Sequence, residues 1–273
     1  MTALRTTTAT LRTTTAALVF ALLTAGSALA GPPLATDDAG TVDVGEVEIE
    51  LNGSYTHDKE KAAGITTKSS SSDGEVKITT GLYKNLGISL AIPYTFDARE
   101  DVDGEISNTE GFGDMTLKLK YAFAELGGVN FAIKPSLILP TGKYSDGMSE
   151  GRWQFGGTLI ATKEFEDGKY ALHANLGYEH HSYRTDEVRE TTRSDFWSGS
   201  IAGETEIMKG LFVVADFGLA TAADKGTKYL TAYALTGARY EINNYLDVNT
   251  GVKVGLTKPE DDLSVLYGLV LTF

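Results

Sequence analysis

The stretch from Leu263 to Phe273 reads LSVLYGLVLTF and has an apolar side chain at every second position. In an extended strand, successive side chains point to opposite faces, so one face of this segment is apolar from end to end. That face consists of Leu263, Val265, Tyr267, Leu269, Leu271 and Phe273. The segment therefore predicts a β-strand with one strongly apolar face that ends on an aromatic residue.

The same period of two recurs through most of the chain in segments of about ten residues. Clear apolar series lie near residues 47–55, 76–82, 88–96, 115–123, 129–139, 153–159, 172–178, 246–256 and 263–273. Less distinct strands are predicted near 195–207, 211–220 and 228–240. In the stretch from Tyr229 to Tyr240 both faces carry apolar residues, so its inward and outward sides cannot be assigned from sequence.

Long polar stretches alternate with short turns between these segments, which is typical of a barrel with long outer loops and short periplasmic turns. No run after residue 30 approaches the ~18 apolar residues of a spanning helix, so any membrane crossing depends on strands. We therefore predict an all-β fold, a transmembrane antiparallel up-and-down β-barrel of about twelve strands over residues 44–273. An even strand count would place both ends in the periplasm.

Aromatic residues recur at the predicted strand ends and favour two girdles at the membrane interfaces. They are Tyr55, Tyr83, Phe96, Phe112, Tyr121, Phe123, Trp153, Phe165, Tyr170, Tyr178, Trp197, Tyr245 and Phe273. The alternative is a soluble β-sandwich in which the same rings fill the core.

The first thirty residues have the features of a cleaved signal peptide. Arg5 and Arg12 precede the apolar run 16–23, and Ala28-Leu29-Ala30 is a small-residue cleavage site. A mature chain from Gly31 would carry 22 basic and 37 acidic residues, a charge of −15, which argues against nucleic acid as a partner. Cysteine is absent, which excludes disulfides. Export of this kind predicts the bacterial outer membrane as the location.

Charged and polar residues alternate with the apolar ones, and a barrel would turn them into its lumen. The predicted lining residues are Glu48, Glu50, Lys77, Asp114, Lys118, Lys120, Lys134, His173, Asn175, Asp247 and Lys253. Enclosed charges are costly unless paired, so ion pairs are expected among them. Twelve strands lie between the ~8 that side chains can fill and the ~16 that leave an open channel, which predicts a constricted lumen.

Residues 31–43 precede the first strand and are predicted to form a periplasmic segment or a small plug. As a plug, Asp37 and Asp38 would reach inward to Lys118, Lys120 or Lys134. The alternative is an exposed leader whose acidic residues cap a turn.

Three further motifs carry little specific chemistry. The stretch from Arg99 through Asp101, Asp103 and Gly104 to Glu110 has calcium-loop spacing, but arginine stands at the first ligand position. His180 and Ser182 have the His-x-Ser spacing of the outer-membrane phospholipase A family, without a supporting third group. The run 69–74, SSSSDG, is interpreted as a flexible loop tip. No metal or cofactor is expected.

Four stretches, in order along the chain, resemble a phenol-degradation meta-pathway family of outer-membrane proteins. They are 33–41, PLATDDAGT; 111–121, GFGDMTLKLKY; 139–142, LPTG; and 175–178, NLGY. The resemblance implies a transporter-like barrel for small hydrophobic or aromatic compounds. The last strand also resembles the closing strand of outer-membrane barrels, which implies recognition of Phe273 by the outer-membrane assembly machinery.

The predicted function is therefore a passive outer-membrane channel for small solutes, embedded among outer-membrane lipid and lipopolysaccharide. Two alternatives stay open. One is a structural or surface-interaction barrel with a sealed lumen, and the other is a lipid hydrolase that uses His180 and Ser182. The identity of the solute and the oligomeric state are not determined by the sequence.

Overall fold

A computed structural model describes residues 32–62, 65–166 and 168–273. The predicted signal peptide, residues 1–30, lies outside the described residues. In the part of the chain that the structure describes, no helix is long and apolar enough to cross a membrane.

Thirteen strand segments make up most of the described chain, because the alternating sequence suits extended pairing. They are β1 Val47–Ala62, β2 Ile65–Tyr83, β3 Leu86–Val102, β4 Glu105–Phe112, β5 Met115–Leu126, β6 Val129–Leu139, β7 Gln154–Phe165, β8 Tyr170–His180, β9 Asp195–Met208, β10 Leu211–Thr221, β11 Leu230–Asn243, β12 Leu246–Gly255 and β13 Leu263–Thr272. A 3₁₀ turn, Tyr144–Asp146, and one short helix, α1 Asp186–Thr191, lie in the outer loops.

All neighbouring strands pair antiparallel, and β1 pairs with β13 to close the sheet on itself. The segments β4 and β5 share one partner: β4 pairs with Tyr94 to Val102 of β3, whereas β5 pairs with Leu86 to Ala91. They are therefore two halves of one barrel strand interrupted at 113–114, and the predicted twelve-stranded barrel is confirmed.

The interruption lies beside Pro93, whose ring nitrogen has no hydrogen to donate to the ladder. The Pro93 carbonyl still accepts a hydrogen bond from the Gly113 N–H at 3.1 Å. Pro140 directly follows β6 and so lies at a strand end. Pro135 lies inside β6 with the same β5–β6 register on both sides, so the strand accommodates it without a bulge.

The two ends of the barrel wall meet at its periplasmic edge. Leu269 of β13 faces Leu51 of β1, and the Phe273 N–H donates to the Val47 carbonyl at 2.9 Å. The apolar series predicted from sequence faces outward and is exposed, while Glu50, one residue before Leu51, is buried. All of the predicted girdle aromatics except Tyr178 are largely exposed, as rings that face lipid would be.

Two of the long polar stretches between the predicted strands, 58–74 and 97–111, are mostly strand, which corrects the prediction that such stretches are outer loops. Ser70, in the run interpreted as a flexible tip, faces His57 of β1 on one side and Arg99 of β3 on the other. Because both neighbours continue as strands, the ladder holds a sequence with weak strand preference.

The acidic residues with calcium-loop spacing shape the turn that ends this hairpin. Asp103 and Gly104 form the two-residue tip between β3 and β4, with φ of 50° and 97°. The Asp101 carboxylate accepts a hydrogen bond from the Gly104 N–H at 2.8 Å. Asp103 and Gly104 thus form the two-residue hairpin turn that an Asp-Gly sequence favours.

The chain before β1 meets the wall at Gly81 of β2, which forms an isolated parallel bridge with Val44. A Cβ at Gly81 would contact the Asp43 carbonyl and lie 2.5 Å from the Val42 carbonyl. Both are backbone atoms that cannot move aside without shifting this part of the chain.

We expect Gly81→Ala to lower the free energy of unfolding in lipid vesicles by about 1–3 kcal/mol, as overpacking does. Gly87→Ala is the matched control on the next strand, because its Cβ would lie 3.5 Å from the nearest atom. Urea unfolding followed by tryptophan fluorescence measures both. Equal stability of the two variants would contradict this packing.

Candidate functional site in the barrel lumen

Strand register places two lysines of the inner wall directly opposite each other. Lys118 of β5 faces Ser136 of β6 and Tyr121 faces Ile133, so Lys120 lies across from Lys134. Like charges in such a pair destabilise a sheet unless an anion lies between them.

Asp37 supplies that anion. Its Oδ1 accepts a hydrogen bond from Lys120 Nζ at 2.9 Å, and its Oδ2 accepts one from Lys134 Nζ. Lys120 also lies 3.6 Å from the Asp38 carboxylate. The Asn175 amide is placed to bond the backbone of Asp37, with its nitrogen 2.9 Å from the carbonyl and its oxygen 2.7 Å from the N–H. Three side chains on three strands thus make four hydrogen bonds to Asp37.

The pKa values of the Asp37 and Asp38 carboxyl groups shift in opposite directions in this environment. Burial alone would raise the pKa of Asp37, but the Lys120 and Lys134 ammonium groups outweigh it and hold that pKa well below its usual range. Burial raises the pKa of Asp38 to about 6, and the Asp37 charge adds to that effect while Lys120 opposes it. Asp37 is therefore the ionised partner of the lysine pair.

We define residues 32–43 as the amino-terminal segment, and its contacts reach widely separated strands. The Thr36 N–H and Oγ1 each donate to the Asp216 carboxylate of β10 at 2.8 Å. The Ala39 N–H donates to Thr162 Oγ1 of β7 at 2.9 Å, and Ala39 packs on buried Ala132 and Ile160.

The beginning of the segment packs against β11 and β12. A Cβ at Gly237 would lie 2.7 Å from Pro33 Cγ, and one at Gly251 would lie 2.9 Å from Pro33 Cβ. Glycine at both positions leaves room for the proline ring. From Pro33 to Val42 the segment therefore contacts the inner wall on strands from β12 round to β2.

A second buried cluster lies on β8, β9, β11 and β12, and most of it was not predicted. Arg239 Nη1 lies 2.8 Å from Glu241 and 3.1 Å from Asp247, and Nη2 lies 3.6 Å from Glu204. Arg239 also stacks over the Phe212 ring at 4.3 Å. The Glu204 carboxylate lies 3.9 Å from His173 Nε2, and Thr162 bonds His173 Nδ1 at 3.0 Å.

Sequence reasoning missed Arg239, Glu204 and Asp216 because they lie in the three strands whose alternation of apolar and polar residues was least distinct. The register now puts Arg239 on the inner face, opposite Phe212, with Ala238 on the outer face. Asp216 had a usable signal, as the only ionisable residue of the apolar strand β10. An ionisable residue within a membrane-spanning segment is by itself reason to predict a site there.

The remaining predicted lining residues have separate partners. Lys77 bonds Glu50, beside Glu48 on the same face of β1, and Lys253 bonds Glu260 at 2.7 Å. Asp114 does not join the lumen network: it accepts hydrogen bonds from the Gly142 N–H and Ser149 Oγ of the outer loop, at 2.9 and 3.0 Å.

Lys118 is the exception among the predicted lumen lysines. It makes no ion pair or hydrogen bond with any residue that the structure describes. Its register neighbours are Ser89 of β3 and Ser136 of β6, so its ammonium group lies in a polar row of the inner wall. A solute in the lumen could contact it.

The residues considered for hydrolysis are arranged differently from a nucleophile and its base. His180 Nδ1 lies 2.9 Å from the exposed Asp195 carboxylate, which also accepts a hydrogen bond from the Tyr178 hydroxyl. Within the described residues Ser182 has no hydrogen bond to His180, and no group of three potential metal ligands comes together.

Burial along the inner wall changes between the two ends of the barrel. Near the periplasmic end Glu50, His173, Glu204 and Arg239 are each less than 5% exposed. Toward the outer end burial is mixed: the Glu179 side chain is 50% exposed, whereas Gln154 and Ser264 are 4% and 3% exposed. The inner wall is therefore buried where the amino-terminal segment lies and partly exposed toward the outer side.

Removing Arg239 should leave the carboxylates of Glu204, Glu241 and Asp247 without their shared cation. We expect Arg239→Met to lower the free energy of unfolding by about 3–5 kcal/mol, as for a broken buried ion pair. Adding Glu204→Gln should restore part of this loss. Lys253→Gln, a more exposed pair at the other end of the lumen, is the control and should cost about 1 kcal/mol or less. If Glu204→Gln restored none of the stability lost in Arg239→Met, the assignment of Arg239 as the shared cation would be contradicted.

Solved structures with the same fold include several outer-membrane barrels. The COG4313 outer membrane channel from Pseudomonas putida F1 is 16% identical, with a TM-score of 0.69 over 86% of this chain and 98% of that one. The NanC porin is 8% identical, with a TM-score of 0.55 over 82% and 98%. The translocator domain of the autotransporter NalP from Neisseria meningitidis is 11% identical, with a TM-score of 0.52 over 85% and 90%.

These likenesses confirm the fold, and the closed wall with its apolar outer band indicates the bacterial outer membrane as its location. No curated protein matches the chain. The sequence profile described as "Putative MetA-pathway of phenol degradation" matches residues 52–273, which is most of the chain. The protein therefore belongs to this family, as its sequence motifs predicted.

Proposed function

We propose that this barrel is a passive outer-membrane channel for small solutes, with a preference for hydrophobic or aromatic ones. The observation that carries the proposal is a lumen occupied by a separate piece of chain, the amino-terminal segment, which side-chain contacts hold against the inner wall. The fold is shared with the channel from Pseudomonas putida F1. The family's description supports the aromatic preference.

The amino-terminal segment acts as the constriction in this proposal. It is held by side-chain contacts around Thr36, Asp37 and Ala39 rather than as a strand of the wall. Such contacts can break without opening the barrel ladder. Solute passage then requires only that the segment shifts, while the twelve strands stay paired.

Lys118 and its neighbouring serines form the polar approach to this constriction. Lys118 has no ion-pair or hydrogen-bond partner among the described residues, and Glu75 and Glu179 lie on the same inner face. Mixed charge of this kind predicts weak selectivity between anions and cations. The lining acts on solutes mainly by size and hydration.

The direct test is uptake of small aromatic solutes by proteoliposomes. We expect benzyl alcohol and benzoate to enter vesicles that contain the protein faster than protein-free vesicles. Asp37→Asn, which releases the Lys120 and Lys134 pair, should raise the rate severalfold because the constriction is held less tightly. Asp146→Asn is the matched control, since Asp146 pairs with Lys143 in an outer loop. Uptake equal to that of empty vesicles would end the channel proposal.

The pH should change how tightly the amino-terminal segment is held. The raised pKa of Asp38 favours its protonated form in the docked state, so docking strengthens as the pH falls from about 7 toward 4. The lowered pKa of Asp37 keeps its lysine contacts over that whole range, and they are lost only at more acidic pH. Single-channel conductance should therefore fall between about pH 7 and pH 5. In Asp38→Asn this dependence should disappear, and an unchanged pH profile would contradict the role of Asp38.

The burial of the periplasmic half favours one competing function, a sealed barrel that acts through its surface. Single-channel recording separates the two. Electrically silent wild-type protein that stays silent in Asp37→Asn would support the sealed barrel. The hydrolase alternative is decided by lipid hydrolysis that depends on Ser182, measured with Ser182→Ala.

A further inference from the structure

The outer wall of the barrel has a depression of about 570 Å³ that the proposed channel does not use. Four small residues on consecutive strands form its floor: Ala161 faces Ala174, and Gly203 faces Ala215. These residues alternate with inward-facing Thr162, His173, Glu204 and Asp216 along their strands, so the floor faces lipid.

Larger apolar side chains surround the floor. Leu172, Ile201 and Phe217 line the depression and are 56%, 61% and 39% exposed. The result is a trough between ridges, of a volume within the range of about 300–1,000 Å³ that binds small molecules. His173 and Asp216 also border it, but their side chains bond Thr162 and Thr36 inside the lumen.

One end of the trough carries a cation. Lys163 is the only charged side chain that faces outward around the depression in the described structure, and it lies across from Leu172. Its Nζ is 5.1 Å from the centre of the Phe165 ring, and Lys169 Nζ is 5.4 Å from that of Tyr170. Phe165 and Tyr170 pair at the periplasmic end of this hairpin, where headgroups meet the barrel. An ammonium group at that level attracts anionic lipid phosphate.

We propose that this depression binds one glycerophospholipid of the periplasmic leaflet, with an acyl chain on the small-residue floor and its phosphate at Lys163. Lipopolysaccharide occupies the opposite leaflet, away from Lys163. A second copy of the chain fits less well, because a twofold contact would bring this concave patch against itself and leave a void. The site is independent of solute passage.

Native mass spectrometry of protein extracted from outer membranes tests the site by counting phospholipids and protein copies in each particle. We expect wild-type protein to retain one phospholipid. The double variant Ala174→Leu with Ala215→Leu fills the floor and should lower that occupancy roughly tenfold. Lys163→Gln leaves the apolar wall intact and should lower it about fivefold, as for one lysine near an anionic headgroup.

Ala238→Leu is the matched control, since Ala238 faces outward opposite Val213 and does not line the depression. It should retain lipid as the wild type does. The proposal is overturned if wild-type protein carries no phospholipid, if all four proteins carry it equally, or if the retained molecule is lipopolysaccharide. It is also overturned if the wild type is a dimer that the floor-filling substitutions dissociate.

Discussion

Every backbone N–H and C=O within the bilayer needs a partner inside the protein, and this constraint determines the rest of the structure. The chain meets it by closing β13 against β1, so that no strand edge is left within the wall. Closure divides each strand into a face toward lipid and a face toward an enclosed space. The apolar residues of the alternating sequence must take the first, and the charged residues then share the second.

The enclosed charges explain why the amino-terminal segment lies inside the barrel. Lys120 and Lys134 face each other across neighbouring strands, and among the described residues their ion-pair partners are Asp37 and Asp38 of the amino-terminal segment, not residues of the wall. Asp37 provides the anion from outside the wall, and Thr36 satisfies Asp216 in the same way. The wall and the segment are therefore complementary, since each carries charged or polar groups that the other pairs.

The resulting architecture has a fixed part, the barrel wall, and a part that can move, the amino-terminal segment. The ladder of twelve strands depends on backbone hydrogen bonds that extend around the whole barrel, whereas the constriction depends on a few side-chain contacts. In the proposed channel, the lumen can therefore change without disturbing the membrane wall. The lipid-facing trough near Lys163 lies on the fixed barrel wall, which is consistent with a bound lipid rather than a transported solute.

The sequence by itself determined the fold, because a period of two and the absence of long apolar runs leave a barrel as the membrane structure. It also predicted that Lys120 and Lys134 face inward, since charges at alternate positions of a barrel strand point to the lumen, but it left open whether Asp37 reaches them or lies in an exposed leader. Tertiary structure alone decided which charges meet. Arg239, Glu204 and Asp247 lie on three strands whose register depends on every hairpin between them. Arg239 was not predicted because the inward and outward sides of the stretch from Tyr229 to Tyr240 cannot be assigned from sequence. The polar hairpin around Ser70 was also decided by its neighbours, because strand formation depends on the partner that supplies the other half of each hydrogen bond.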